Sequence, residues 1–168
     1  LPGQDPPTWT PPNSNGVYSY EKMTIRKAMA NSVNSITAHM MKKVGPKNVA
    51  EAAKRIGITS DLEAVPALSL GVNDVSLFEM VGAYGTFVNE GEHILPFYIT
   101  RIEDKYGNPI EIRSPQKKQA MSEEDAYLML YMLRGATEEE GGTGMGLSKE
   151  LRENNEIGGK TGTTQNAS

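Results

Sequence analysis

The segment Gly158–Thr164, with the sequence GGKTGTT, limits most strongly what this chain can fold into. It combines one cation, three hydroxyl groups and three glycines in seven residues. Glycine lets the backbone approach a bound group closely, and lysine and hydroxyl donors form charge-assisted hydrogen bonds with anions. The segment therefore predicts an anion-binding site, and two kinds of site have to be separated.

The first kind is the phosphate-binding P-loop, which follows the pattern G-x-x-x-x-G-K-[ST] after a buried strand. The first glycine of that pattern would fall on Asn154, and the preceding residues Glu150–Glu156 are polar and charged. No helix-forming sequence follows the lysine. The P-loop is therefore disfavoured.

The second kind is a K-T-G element on an edge strand, which works together with an S-x-N element elsewhere in the chain. Lys160–Gly162 is the K-T-G and Ser32–Asn34 is an S-x-N. Both lie in longer matching contexts, Arg26–Asn34 and Gly159–Thr164, and further matching segments are Pro66–Gly71, Glu79–Tyr84, Phe87–Asn89 and Met132–Gly135. Through these segments the chain closely resembles the transpeptidase domain of class A penicillin-binding proteins, the bifunctional peptidoglycan synthases.

The resemblance implies catalytic roles for three residues. Ser32 would relay a proton toward the departing nitrogen, and Asn34 would hold the amide carbonyl of the substrate through its NH₂ group. Lys160 would lie near Ser32 and keep that relay polarised.

The substrate would be a peptidoglycan stem peptide that ends in D-alanyl-D-alanine. Its terminal carboxylate would be bound by Lys160 together with the hydroxyls of Thr161 and Thr163. Gly162 would let the substrate backbone lie against the strand, and the backbone N–H of Thr163 would be one oxyanion donor.

The nucleophile of such an enzyme is the serine of an S-x-x-K element. The chain has two matches, Ser19–Lys22 and Ser114–Lys117. In the family this serine opens a buried helix several dozen residues before S-x-N, and neither match fits that context. We therefore predict that the nucleophile and its lysine lie outside this chain, that residues 24–168 are part of a transpeptidase domain truncated at both ends, and that the chain alone has no acyl-transfer activity.

The resemblance implies a parent protein that cross-links peptidoglycan and is acylated by β-lactams at the extracytoplasmic face of the bacterial inner membrane. The parent would carry an upstream membrane anchor and a glycosyltransferase domain, and its partners would be glycan strands derived from lipid II and the remainder of the same domain. The alternative enzymes are a monofunctional class B transpeptidase, a DD-carboxypeptidase and a serine β-lactamase, for which Glu63 or Glu79 would be candidate deacylation bases. A further alternative is a non-catalytic β-lactam sensor or structural module.

Composition excludes several other functions. Basic residues number 17 against 21 acidic ones, which gives no excess for binding nucleic acid. The absence of cysteine excludes disulfides and thiolate catalysis, and His39 and His93 are too far apart in sequence to suggest a histidine-based metal site. No cofactor and no metal are expected.

The predicted fold class is α+β. The proline-rich residues 1–23 predict an extended arm or covering loop pinned by Trp9, with a disordered linker as the alternative. Helices are predicted from Ile25, with a break near Asn31–Asn34 or one continuous helix as the alternative, and from Pro46 to Gly57. The further predictions are a loop at Ser60–Asn73, a helix at Leu77–Val88, a hairpin around Lys105–Pro109, a loop at Pro115–Gln119, a helix at Glu123–Arg134, a loop at residues 135–146 and an edge strand ending in Lys160–Thr164.

Overall fold

The computed structural model describes residues 10–162, which form two compact units. The first unit comprises residues 10–51, 61–74 and 128–162, and the second comprises Ala52–Ser60 and Val75–Tyr127. In chain order the elements are α1 (Ile25–Ala30), α2 (Asn34–Val44), α3 (Pro46–Arg55), a 3₁₀ helix (Pro66–Leu70), α4 (Leu77–Val88), β1 (Glu92–Ile94), β2 (Arg101–Glu103), β3 (Pro109–Ile112), β4 (Lys117–Gln119), α5 (Glu123–Glu138) and α6 (Lys149–Asn154). The predicted α+β class is confirmed.

The predicted break between α1 and α2 is also confirmed. Thr24 caps α1, because its hydroxyl accepts the N–H of Lys27 at 3.1 Å. After α1 the N–H of Val33 reaches back to the carbonyl of Ala28 at 2.9 Å, and α2 begins only at Asn34. The alternative of one continuous helix is wrong, and the S-x-N motif lies at a turn between two helices.

The Gly45-Pro46 junction ends α2 and starts α3 as the sequence predicts. Gly45 has a φ of +88° and its N–H donates to the carbonyl of Met41 at 2.8 Å. Pro46 is the first residue of α3, where the N–H that proline lacks would have no helical partner.

The segment Ser60–Asn73, which was predicted as a loop, contains the 3₁₀ helix. Pro66 opens this helix, since the fixed φ of proline suits a first helical position, and Gly71 ends it with a left-handed φ of +80°. The helix packs against α2 in the first unit. The prediction was wrong here because the helix is too short for apolar periodicity to appear.

Helix α5 runs beyond its predicted end at Arg134 and continues to Glu138. Gly135 does not end the helix, because α1 packs closely against it. A methyl group built on Gly135 would lie 3.2 Å from Cγ of Arg26 and 3.3 Å from Cβ of Ala30. The guanidinium of Arg26 also bonds the backbone carbonyl of Tyr131 and the carboxylates of Glu138 and Glu139.

In the second unit, α4 has the predicted bounds Leu77–Val88 and begins with a capping box. Glu79 accepts the backbone N–H of Ser76 at 2.8 Å, and the Ser76 hydroxyl accepts the N–H of Glu79 at 3.2 Å. The same carboxylate accepts the backbone N–H groups of Thr59 and Ser60 at 2.8 and 2.6 Å. The hydroxyls of Thr59, Ser60 and Ser76 also donate to it, so six donors surround one buried carboxylate.

The strands of the second unit form two antiparallel pairs. The predicted hairpin is confirmed, since β2 pairs with β3 across a turn in which the carboxylate of Asp104 accepts the N–H groups of Tyr106 and Asn108. The other pair, β1 with β4, corrects the predicted loop at Pro115–Gln119. Because β4 is polar and exposed, it has no apolar alternation that would have revealed it.

The proline-rich arm is described from residue 10 onward, and its residues up to 24 form neither helix nor strand. Trp9 lies outside the described residues. Among residues 10–162, no helix is long and apolar enough to cross a membrane.

Candidate active site

Ser32 occupies the turn between α1 and α2 in an unusual backbone conformation. Its φ of +53° is in the left-handed region, which non-glycine residues rarely adopt. The N–H of Ser32 donates to the carbonyl of Met29 at 3.1 Å, and the residue is half-buried. Strained backbone of this kind is concentrated at functional sites.

The side chain of Lys160 reaches this turn. Its Nζ donates to Oγ of Ser32 at 2.8 Å, which joins residues 128 positions apart, and it also bonds the carbonyl of Thr161 at 2.9 Å. Within residues 10–162 no carboxylate forms an ion pair with Lys160. Partial burial lowers the pKa of Lys160 below its ordinary value, because desolvation disfavours the cation.

Helix α5 holds the segment that carries Lys160. The N–H of Gly159 donates to the carbonyl of Leu133 at 3.1 Å, and the hydroxyl of Thr137 donates to the carbonyl of Ile157 at 2.7 Å. These two bonds fix the backbone on either side of Gly158. They therefore set how far Lys160 can extend toward Ser32.

The K-T-G segment is not a strand in the described part of the chain. Lys160–Gly162 pairs with no strand, whereas an edge strand needs a hydrogen-bonded neighbour. Thr161 and Gly162 are exposed beside Lys160. Thr163, the fourth residue of the predicted carboxylate and oxyanion site, lies outside the described residues.

Asn34 is the first residue of α2 and is half-buried. Its amide Nδ2 donates to the carbonyl of Pro12 in the arm at 2.9 Å. The structure therefore brings Ser32 and Lys160 together, and it connects Asn34 to a segment that sequence reasoning did not assign to the site. The described part of the predicted arm thus contacts the S-x-N turn.

A cavity of about 400 Å³ lies beside Lys160 in the first unit. Its wall is formed by the end of α5, the glycine-rich segment after it and the segment that leads to Lys160. The lining residues are Ala136, Thr137, Thr143, Gly144, Gly146, Leu147, Ile157, Gly158, Gly159, Lys160 and Thr161. The glycine-rich part of residues 135–146 therefore lines this cavity through Thr143, Gly144 and Gly146.

The glycine-rich segment also contacts the S-x-N turn, and this contact gives a testable prediction. Gly141 has a φ of +74°, and a methyl group built on it would lie 2.5 Å from Oδ1 of Asn31. We expect Gly141→Ala to lower the free energy of unfolding by about 2 kcal/mol through backbone strain and this clash. Urea unfolding measures the change. The control is Gly146→Ala, where a methyl group meets nothing within 4 Å, and equal stability of the two variants would contradict the prediction.

The two S-x-x-K matches do not form a nucleophile with its lysine. The hydroxyl of Ser19 accepts the N–H of Glu21 at 3.4 Å, and Lys117, the lysine of the second match, bonds Glu92 at 3.0 Å. Ser19 and Ser114 are both exposed. In the described part of the chain, neither serine is hydrogen-bonded to the lysine of its own match.

The contacts of the histidines and of Glu79 indicate structural rather than metal-binding or catalytic roles. Nδ1 of His93 lies 3.1 Å from the hydroxyl of Thr86, and His39 is exposed. Within residues 10–162, no group of three or more histidine, cysteine, aspartate or glutamate side chains could hold a metal ion. The carboxylate of Glu79 is fully used by its six donors.

A family model and several curated proteins match this chain. The family model described as penicillin binding protein transpeptidase domain matches residues 2–168. The chain is 35% identical over 130 residues to penicillin-binding protein 2D of Bacillus subtilis. The aligned residues cover 76% of this chain and 18% of that protein. It is 32% identical over 161 residues to penicillin-binding protein 1A of Clostridium novyi, and this alignment covers 93% of this chain and 18% of that protein. The chain spans about a fifth of the length of these curated relatives.

Solved structures show the same similarity. The crystal structure of penicillin-binding protein 1A from Haemophilus influenzae matches with a TM-score of 0.85 and 27% identity, over 98% of this chain and 29% of that one. The imipenem acyl-enzyme complex of penicillin-binding protein A from M. tuberculosis matches with a TM-score of 0.66 and 18% identity, over 80% of this chain and 36% of that one. The second match concerns the fold alone.

Proposed function

The chain belongs to the penicillin-binding protein transpeptidase family, and from this premise we propose that it supplies part of the active site of a peptidoglycan D,D-transpeptidase. In this proposal the nucleophilic serine lies outside these residues, in a longer parent protein of class A. The parent cross-links stem peptides through an acyl-enzyme and is acylated by β-lactams. This chain alone is inactive.

One observation carries the proposal, namely the 2.8 Å hydrogen bond between Lys160 and Ser32. The ammonium donates to Oγ of Ser32, so the hydroxyl proton of Ser32 remains free to be donated onward. When the peptide bond of the substrate breaks, the leaving nitrogen needs a proton, and a hydroxyl polarised by a cation can deliver it. The cation itself is free of a described carboxylate partner, so it can attract an anionic substrate.

The remaining roles follow from the positions of the neighbouring residues. Thr161 and Gly162 are exposed beside Lys160, where a carboxylate that binds the ammonium would also meet a hydroxyl. Asn34 directs one N–H to Pro12 and keeps a second N–H for the amide carbonyl of the substrate. Thr163 is assigned its role as oxyanion donor by the family resemblance alone.

We place the parent protein in the periplasm, anchored in the inner membrane by an upstream helix and joined to a glycosyltransferase domain. This placement follows from the substrate, because peptidoglycan is assembled outside that membrane. Its partners in the proposal are stem peptides on glycan strands, β-lactams and the remainder of the transpeptidase domain.

The test is covalent labelling of the full-length parent protein with a fluorescent penicillin, read by intact mass and by mapping of the labelled peptide. We expect one label per molecule, on a serine outside these 168 residues, and slow release of the acyl group. Release of D-alanine from a stem-peptide substrate with formation of cross-linked product should accompany it.

Each other outcome overturns the proposal in a recognisable way. Label on Ser19 or Ser114 would place the nucleophile inside this chain. Rapid release of the acyl group would indicate a β-lactamase, and hydrolysis of the stem peptide without cross-linking would indicate a carboxypeptidase. Stable labelling without turnover of any stem peptide, or no labelling at all, would indicate a sensor or a structural module.

A further inference from the structure

Helix α2 begins at the S-x-N turn without a cap of its own. The residue at its N-cap position is Val33, whose side chain has no hydrogen-bonding atom, and no side-chain cap bond is formed there. The first N–H groups of a helix have no partner within the helix, so a helix that starts this way needs a partner from elsewhere. The start of α2 is also where Asn34 lies.

The arm supplies the missing cap. Oδ1 of Asn13 accepts the N–H of Ser35, the second residue of α2, at 3.0 Å. This is the bond that a serine or asparagine at the N-cap position would normally make, but here it comes from a residue 22 positions earlier. Asn13 is half-buried by the contact.

The neighbouring residue of the arm holds Asn34 directly. The backbone carbonyl of Pro12 accepts one N–H of the Asn34 amide at 2.9 Å. This bond fixes the rotation of the amide and leaves its second N–H and its oxygen for other partners. Pro12 and Asn13 therefore determine both where α2 starts and how the Asn34 amide is oriented.

The arm is internally ordered at this point, so it can act as a fixed support. Nδ2 of Asn13 donates to the carbonyl of Val17 at 2.8 Å, and the carbonyl of Asn13 accepts the N–H of Gly16 at 2.9 Å. Pro11 beside it is buried. The side chain of Asn13 thus connects a closed turn on one side to the start of α2 on the other.

We propose that Asn13 is a positioning residue of the active site: its bond to Ser35 anchors the arm, so that the carbonyl of Pro12 holds the amide of Asn34 in the orientation that binds the amide carbonyl of the substrate. This inference rests on the proposed function. It assigns to the proline-rich arm a role in substrate discrimination, because a β-lactam or stem peptide with an acylamino group uses the Asn34 amide and a β-lactam without that group does not.

The experiment compares acylation of the full-length parent protein by benzylpenicillin, which has an acylamino side chain, with acylation by 6-aminopenicillanic acid, which has none. For Asn13→Ala we expect the acylation rate constant to fall about tenfold with benzylpenicillin and less than about threefold with 6-aminopenicillanic acid, since misplaced contacts lower rates steeply. The fraction of protein that is labelled at the end point gives the fraction of folded molecules, and the acylation rates are normalised to it. Asn13→Asp keeps an oxygen that accepts the Ser35 N–H and should retain most of the wild-type rate.

The matched control is Ser122→Ala, which removes a cap bond of the same kind from α5, the 3.1 Å bond to the N–H of Asp125, and leaves the S-x-N turn unchanged. It should alter neither rate constant. Two results would overturn the positioning role alone, provided that the wild-type parent is labelled. One is an Asn13→Ala variant with unchanged acylation rate constants, and the other is an equal loss of the rate constant for both β-lactams. A wild-type parent that neither β-lactam labels would overturn the proposed function, and this inference with it.

Discussion

Replacing Lys160 with alanine is expected to lower the rate constant for acylation of the parent protein by a fluorescent penicillin about 1000-fold, the upper range for removing one donor that stabilises a transition state. The large effect is expected because one side chain serves two steps. In the proposed mechanism its ammonium attracts the carboxylate of the drug, and its 2.8 Å bond to Ser32 would polarise the hydroxyl that delivers a proton. Stopped-flow labelling of wild type and variant measures the ratio.

Two further lysine variants test the interpretation. Lys149 is exposed and lies 3.6 Å from Glu153, and Lys149→Ala should leave the rate within about twofold, since such surface pairs contribute little. Lys160→Arg keeps a cation that does not lose its proton. Because the pKa of Lys160 is lowered, wild-type acylation should fall as the pH rises through that lowered pKa, and the fall should move to higher pH in Lys160→Arg. A Lys160→Ala variant that acylates at the wild-type rate would contradict the assignment.

Glu79→Gln is expected to destabilise the second unit strongly. The carboxylate accepts hydrogen bonds from six donors, and a glutamine would turn an NH₂ group toward donors that need an acceptor. We expect faster hydrogen exchange at Thr59 and Ser60 and a lower Tm, measured by mass spectrometry and calorimetry. The effect should be larger than for any other single glutamate in this unit.

The pH dependence of this effect has a definite sign. The hydrogen bonds to Glu79, chiefly the one from the Ser76 backbone, hold the pKa of its carboxyl far below the ordinary range. Their stabilising contribution is therefore present above the pKa of an unfolded glutamate, about 4.3, and is lost as the pH falls below it. The difference in Tm between wild type and Glu79→Gln should narrow in acid.

The matched control is Glu123→Gln, which removes an exposed carboxylate from the first turn of α5. Both glutamates lie near a helix N-terminus, so both variants lose the same favourable interaction with the helix dipole. Only Glu79→Gln should increase exchange at Thr59 and Ser60. Equal changes in Tm for the two variants would show that the hydrogen bonds from the six donors to Glu79 do not add to stability.

The parts of the fold that could be predicted from sequence are those with a local physical cause. The capping box at Ser76 and Glu79 fixed the start of α4, and the Gly45-Pro46 junction separated α2 from α3. The break predicted near Asn31–Asn34 corresponds to the turn at Ser32, between α1 and α2. In each case the residues that determine the element lie within it or beside it.

The parts that could not be predicted depend on distant residues or lack an apolar pattern. Helix α6 has six residues and an exposed Leu151 as its apolar side chain, and its Ser148 cap was the only available signal. Gly135 remains helical because α1 packs against it, which no local rule contains. Asn13 is followed by a turn, so the sequence could have suggested a capping residue there. It could not have shown that Asn13 caps a helix 22 positions away.

The candidate site was found through the resemblance rather than through spacing. Ser32 and Lys160 are separated by 128 positions, and no pattern in the intervening sequence predicts that their side chains come into contact. Their contact results from α1 and α5 packing closely at Gly135 and from the bonds that hold Gly159 on α5. The roles of Asn34, Thr161, Gly162 and Thr163 remain predictions.

The left-handed backbone of Ser32 sets stability against activity at a single position. In this conformation glycine is favoured over an L-residue by about 1 kcal/mol, so a glycine here would make the fold more stable and would remove the hydroxyl. A directed-evolution experiment that selects for heat resistance alone should therefore accumulate Ser32→Gly. Selection that also requires cell-wall synthesis should reject it.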